Sequence, residues 1–100
     1  MSLDYHIFLG ATVADAAARP LHWVYDPKKL NSYIKNKKDI TFLKNNKCPF
    51  YNIKTGNVSG YNDVGQVMFK SLIEAKNQLA VLKIFKKNIV KNFGPGSKYW

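Results

Sequence analysis

The spacing of apolar residues at the start of the chain predicts a helix that ends at a proline. Apolar side chains recur three or four positions apart, the spacing of one helix face, at Leu3, Ile7, Phe8, Ala11, Ala14 and Ala18. The hydroxyl of Ser2 can cap the first turn. Pro20 lacks an amide hydrogen and its ring collides with the preceding turn, so the helix should end or kink near Arg19. The small side chains of residues 10–26 favour a central helix that other segments approach closely.

The middle of the chain predicts one short helix and a long loop. Asp26 followed by Pro27 places a capping residue before a proline at the first helical position, which is typical of a helix start. Residues 40–60 have no helical periodicity and contain two short β-prone runs. We expect an extended loop there, alone or with a small hairpin, whose aromatic side chains pack against the first helix.

The last forty residues predict two more helices. One apolar stripe starts after Asp63, which has capping-box spacing to Gln66, and comprises Val64, Met68, Leu72, Ala75 and Leu79. A break is expected near Asn77, since an unbroken helix to Phe93 would exceed ordinary length. Gly94 is predicted to close the last helix in the left-handed conformation. The fold class is therefore predicted to be all-α with one long irregular loop.

Composition adds a strong positive charge to this picture. The 100 residues carry a formal net charge of +10 and a pI near 9.8, which first suggests nucleic acid or an acidic membrane as partner. Arg19 is the only arginine, and readers of phosphates and base edges usually rely on arginine's planar fork. The lysines are spread along the chain, so we expect no specific nucleic acid and no membrane partner. A basic nucleic-acid binder stays open as an alternative.

Cysteine usage and hydropathy predict the cellular compartment of the protein. Cys48 is the only cysteine, so no intramolecular disulfide can form, which fits a reducing compartment. No apolar run approaches the roughly 18 residues of a membrane span. We therefore expect a cytoplasmic protein, and no internal domain boundary is visible within residues 1–100.

Three stretches of the sequence match a known family pattern. The first is the run Ala-Asp-Ala-Ala-Ala-Arg-Pro-Leu-His-Trp of residues 14–23; the others are Gly-Tyr-Asn-Asp-Val-Gly-Gln of residues 60–66 and Phe-Gly-Pro-Gly-Ser of residues 93–97. Together they resemble the opening of the ADP-ribosylglycohydrolase family, and within it the J-crystallin branch. The resemblance implies the N-terminal part of a longer domain, an orthogonal helical bundle. It also implies hydrolysis of ADP-ribosyl linkages, with ADP-ribose or ADP-ribosylated protein as partner.

The same resemblance implies a cofactor of two magnesium or manganese ions. The family's Tyr-Thr-Asp-Asp-Thr turn corresponds to residues 61–65, so Asn62 and Asp63 are the positions where a metal ligand would lie. Val64 replaces the second aspartate and offers no side-chain ligand. The family's C-terminal Asp-x-Asp-Thr motif has no counterpart among these residues.

His22 is the candidate catalytic residue, because it aligns with a glutamate of the active relatives. An imidazole can act as a base or a metal ligand but cannot supply a permanent anion. The resemblance therefore implies an enzyme scaffold with replaced site positions, and we expect no catalysis by this chain alone. A non-enzymatic crystallin-like structural or binding protein is the main alternative, and exposed apolar surface predicts possible self-association.

Each candidate residue also has a purely structural interpretation. Asp63 can be a helix cap. Asp15 should hydrogen-bond backbone or a nearby hydroxyl, since a buried acid needs partners. His22 can be a packed histidine that is satisfied by one hydrogen bond. Four aromatic residues could stack an adenine or belong to the core: Trp23, Tyr25, Phe50 and Tyr51.

Overall fold

The structure is a computed structural model that describes residues 2–97, and within that range it is all-helical. Four α-helices are formed, and no described residue lies in a β-strand. They are α1 (Leu3–Ala18), α2 (Pro27–Ile34), α3 (Gly60–Glu74) and α4 (Gln78–Phe93). The predicted all-α class is confirmed. No helix among the described residues has the length and apolar character that a membrane crossing requires.

The described residues form two compact units that meet in sequence between Ser59 and Gly60. The first unit contains α1, α2 and the loop that follows, and the second contains α3 and α4. The expectation of a single partial domain without an internal boundary stays a prediction.

In the first unit, the predicted caps and the predicted proline stop are confirmed. The Ser2 hydroxyl accepts a hydrogen bond from the Tyr5 amide at 3.3 Å, and the Asp26 carboxylate accepts one from the Lys28 amide at 2.9 Å. At Pro20, α1 gives way to a 3₁₀ turn, Arg19–Leu21. Only Ala16 of α1 is buried. Arg19 and Pro20, which follow α1, are buried as well. The expected close approach of other segments is therefore confirmed at the end of α1, and a central position of the whole helix stays a prediction.

The loop of residues 35–59 is irregular throughout, and the optional hairpin is not formed. Backbone amides of the loop bond to carbonyls at the end of α1, from Phe42 to Ala17 at 2.8 Å and from Lys47 to Pro20 at 2.7 Å. These bonds use carbonyls that a helix end leaves unpaired. Because polar contacts hold the loop, its aromatic side chains do not need to pack on α1; the expectation that they do so is wrong for Phe50, which is 72% exposed.

The second unit is a pair of helices with a polar contact between them. Ser71 of α3 is fully buried, and its hydroxyl accepts a hydrogen bond from the Asn88 amide group of α4 at 3.0 Å. The predicted break is confirmed, since the Asn77 side chain caps α4 by accepting from the Ala80 amide at 3.0 Å. A capping role for Asp63 is wrong, because α3 begins three residues earlier and places Asp63 in its first turn.

Gly94 closes α4 in a different way from the one predicted. Its φ of −80° and ψ of −167° are extended rather than left-handed. The residue before a proline is driven to extended backbone, and Pro95 follows here. Gly94 is still special, because a Cβ at this position would lie 2.4 Å from the Val90 carbonyl oxygen.

Candidate functional site

The end of α1 brings an acid and a histidine to the same place in the first unit. Asp15 lies in the last turn of α1, and the 3₁₀ turn that Pro20 starts is closed by a hydrogen bond from the His22 amide to the Arg19 carbonyl at 3.0 Å. The resulting separation between His22 Nε2 and Asp15 Oδ1 is 4.0 Å. This distance allows an ion pair when the imidazole is protonated but exceeds that of a direct hydrogen bond.

Both oxygens of Asp15 accept hydrogen bonds from the end of the loop. The Ser59 amide donates to Oδ2 at 2.7 Å, and the Ser59 hydroxyl donates to Oδ1 at 2.6 Å. Ser59 is fully buried. The prediction that Asp15 bonds to backbone and a nearby hydroxyl is confirmed. The Asp15 carboxylate therefore holds the C-terminal end of the loop at Ser59, the residue that precedes α3.

His22 also has a partner on its other ring nitrogen. Nδ1 lies 2.7 Å from the Tyr51 hydroxyl, so Asp15, His22 and Tyr51 form a row of three polar groups. The side chains of His22 and Asp15 are 22% and 18% exposed, which leaves the row in reach of solvent. Chemically, a neutral imidazole whose Nδ1 is unprotonated can accept a hydrogen bond from the Tyr51 hydroxyl.

The loop is pinned by the guanidinium of Arg19, which is fully buried. Its Nε donates to the Asn57 carbonyl at 2.8 Å, and its Nη2 donates to the Ile53 and Lys54 carbonyls at 2.6 and 2.8 Å. Its Nη1 donates to Asn46 Oδ1 at 3.1 Å. The fork of an arginine can reach in all these directions at once, whereas an ammonium cannot.

Asn46 links Arg19 to Tyr51 by hydrogen bonds to both residues. While its Oδ1 accepts from Arg19, its Nδ2 donates to the Tyr51 carbonyl at 2.8 Å. Arg19 therefore supports, through Asn46, the backbone at Tyr51, whose hydroxyl lies beside His22.

Trp23, which follows His22 in sequence, belongs to an exposed cluster of three aromatic rings. The Trp23 ring meets those of Phe50 and Tyr25 edge to face, with centroids 5.3 and 6.0 Å apart. Trp23 and Tyr25 are 40% and 80% exposed, so the core interpretation of these rings is wrong. Trp23 has a φ of 66°, an uncommon conformation for a bulky residue, and such strain concentrates at functional sites.

The two metal-candidate positions lie in the first turn of α3, in the second unit. The side-chain oxygen of Asn62 accepts a hydrogen bond from Gln66 Nε2 at 2.8 Å. Among residues 2–97, no three histidine, cysteine, aspartate or glutamate side chains are grouped so that they could hold a metal ion. The assignment of Asn62 and Asp63 to a magnesium or manganese site stays a prediction.

Three residues of the first unit's site were not assigned a role in it from the sequence: Arg19, Ser59 and the hydroxyl of Tyr51. A sequence signal existed only for Arg19, the single arginine in a lysine-rich chain. Ser59 and Tyr51 are common residue types in a loop without periodicity, so nothing local marked them.

Comparison with known proteins gives two curated relatives. Over 91 residues the chain is 37% identical to crystallin J1B and 35% identical to crystallin J1A, both of Tripedalia cystophora. Each match covers 91% of this chain and 28% of the relative. No family profile and no solved structure match the chain. The chain is therefore similar to the J-crystallins along nine-tenths of its own length, and it spans 28% of theirs.

Proposed function

We propose that this chain is a segment of a J-crystallin-like protein with the scaffold of an ADP-ribosylglycohydrolase, and that by itself it hydrolyses no ADP-ribosyl bond. The observation that carries the proposal is the similarity to both Tripedalia crystallins over 91 residues. The run of residues 14–23, which resembles the opening of the hydrolase family, supports the scaffold.

The chemistry of the site supports a structural rather than a catalytic role for the segment. Both oxygens of Asp15 are used to hold Ser59, and His22 stands where the active relatives have a glutamate. Val64 supplies no ligand where they have an aspartate. The proposal therefore includes no step that passes through a metal ion.

We expect the purified chain to release no ADP-ribose from ADP-ribosylated protein, with magnesium, with manganese or with neither. The reason is that a histidine and a valine replace two of the carboxylates that the family's chemistry uses. The measurement is the amount of free ADP-ribose over time, with an active ADP-ribosylglycohydrolase as positive control. Metal-dependent release above the protein-free rate would contradict the proposal.

A titration with ADP-ribose in the presence of magnesium separates two forms of this proposal. Saturable shifts of the NMR signals of Trp23 would indicate that a relic of the substrate pocket persists near its exposed ring. Absence of any heat or fluorescence change would favour a purely structural segment.

We also expect the isolated chain to self-associate, because α1 exposes large apolar side chains. Leu3, Ile7 and Val13 are 73%, 61% and 51% exposed, and apolar surface of this kind promotes association. Sedimentation velocity over a concentration series should show a mass that rises with concentration. Ile7→Lys should lower the association, whereas Asn31→Lys, which adds the same charge at an exposed polar position of α2, should not. Equal effects of both changes would mean that charge repulsion alone is responsible.

A further inference from the structure

The loop of the first unit encloses a second concave site, separate from the row of Asp15, His22 and Tyr51. It is an open cavity of about 680 Å³. Its lining combines two lysines, three asparagines and one aromatic ring: Lys44, Lys54, Asn45, Asn46, Asn52 and Phe42. No acidic side chain lines it. Ammonium and amide groups without a carboxylate are a donor set for an anion.

The two walls of this cavity are held together by the protein itself. The Thr55 hydroxyl from one wall donates to the Leu43 carbonyl of the other at 2.6 Å and lies 3.2 Å from the Lys44 carbonyl. The amide group of Asn46 ties the same region to the Tyr51 carbonyl at 2.8 Å. A cavity that is shaped before a ligand arrives loses less entropy on binding.

A buried positive charge lies beneath the lining. Arg19 is fully buried and bonds to the side chain of Asn46 and to the carbonyls of Ile53 and Lys54, three residues that line the cavity. Within residues 2–97, no carboxylate forms an ion pair with Arg19. A buried charge that has only neutral partners is costly. An anion in the cavity would be attracted by this guanidinium as well as by the two lysines.

Phe42 adds an apolar contact to this positive surface. Its φ of 49° is in the left-handed region, which is a strained conformation for a bulky residue, and the residue is 43% exposed. Strained residues of this type cluster at ligand-binding sites. An aromatic ring beside ammonium groups suits a ligand that carries both a planar apolar group and a negative charge.

We propose that this cavity binds an organic phosphate, with the phosphate between Lys44 and Lys54 and a planar group against Phe42. The volume exceeds that of an inorganic ion and suits a small aromatic phosphate ester. The site is distinct from the one around His22, and the proposal does not depend on hydrolysis of ADP-ribosyl bonds.

The test is an NMR titration of the ¹⁵N-labelled 100-residue chain with phenyl phosphate, inorganic phosphate and phenol. Phenyl phosphate should shift the amides of residues 42–46 and 52–55 in a saturable way, inorganic phosphate should bind there more weakly, and phenol should cause no shift. Lys44→Gln with Lys54→Gln should weaken phenyl phosphate binding at least about tenfold, in line with loss of two charge-assisted contacts. Lys37→Gln with Lys38→Gln removes the same charge from the same unit and should change affinity less than about twofold.

A second variant tests the apolar contact. Phe42→Leu should abolish the advantage of phenyl phosphate over inorganic phosphate while leaving binding of the ion itself in place. Equal weakening by both lysine pairs, shifts spread over the whole basic surface, or saturation by inorganic phosphate alone would identify an adventitious ion only and overturn the proposal. The hydrolysis assay plays no part in this test, so either proposal can fail without the other.

Discussion

Replacing Arg19 by methionine is expected to unfold the first unit. The change removes a fully buried guanidinium that donates to three loop carbonyls and to Asn46. Hydrogen bonds to a charged group contribute about 1.5–3 kcal/mol each, and four oxygen acceptors lose their donor in this variant. A loss of this size is comparable to the whole stability of a small domain, roughly 5 kcal/mol. The measurement is urea unfolding followed by the amide signals of residues 40–59.

Two further substitutions make the Arg19 prediction specific. Lys29→Met removes an exposed positive charge from α2 and should shift the unfolding midpoint little, since surface substitutions usually stay within about 0.5 kcal/mol. Arg19→Lys keeps the charge but lacks the planar fork, so it should recover only a minor part of the lost stability. If Arg19→Met and Lys29→Met unfold at the same urea concentration, the guanidinium does not hold the loop.

Asp15→Ala is expected to have the second largest effect on the first unit. It deletes the acceptor of the two hydrogen bonds from Ser59, at 2.7 and 2.6 Å. Hydrogen bonds to charged groups contribute about 1.5–3 kcal/mol each, so we expect a loss of about 3 kcal/mol in the free energy of unfolding. Asp15→Asn keeps one acceptor oxygen and should lose about half as much. Chemical unfolding of the three proteins, under identical conditions, measures this series.

A double-mutant cycle with Ser59→Ala separates the hydroxyl contact from the rest of this loss. Ser59→Ala removes only the hydroxyl donor, so its effect should be partly lost in the Asp15→Ala background. We expect a coupling free energy of about 1 kcal/mol between the two positions. Strictly additive effects would show that the short contact of the Ser59 hydroxyl contributes nothing to stability.

The helices and most of their ends could be predicted because they are determined by neighbours in sequence. Ser2, Asp26 and Asn77 each cap a helix through a contact within three residues, and Pro20 ends α1 through its own missing amide hydrogen. The prediction of a left-handed Gly94 was wrong. It applied the general preference for a left-handed glycine at the end of a helix, whereas Pro95 favours extended backbone at the residue before it. The start of α3 was placed three residues late because apolar periodicity begins after the helix does.

By itself, the sequence determined the helical segments, the interruption at Pro20 and a set of candidate side chains at the end of α1. Only the tertiary structure decided what those side chains do. Arg19 and Asp15 bond to residues up to 38 and 44 positions away, in a loop whose course no periodicity describes. Hydrogen bonds between distant segments depend on how the chain returns on itself, whereas helix caps depend on a single turn. The row formed with Tyr51, the buried cation and the cavity above it therefore became visible only in three dimensions.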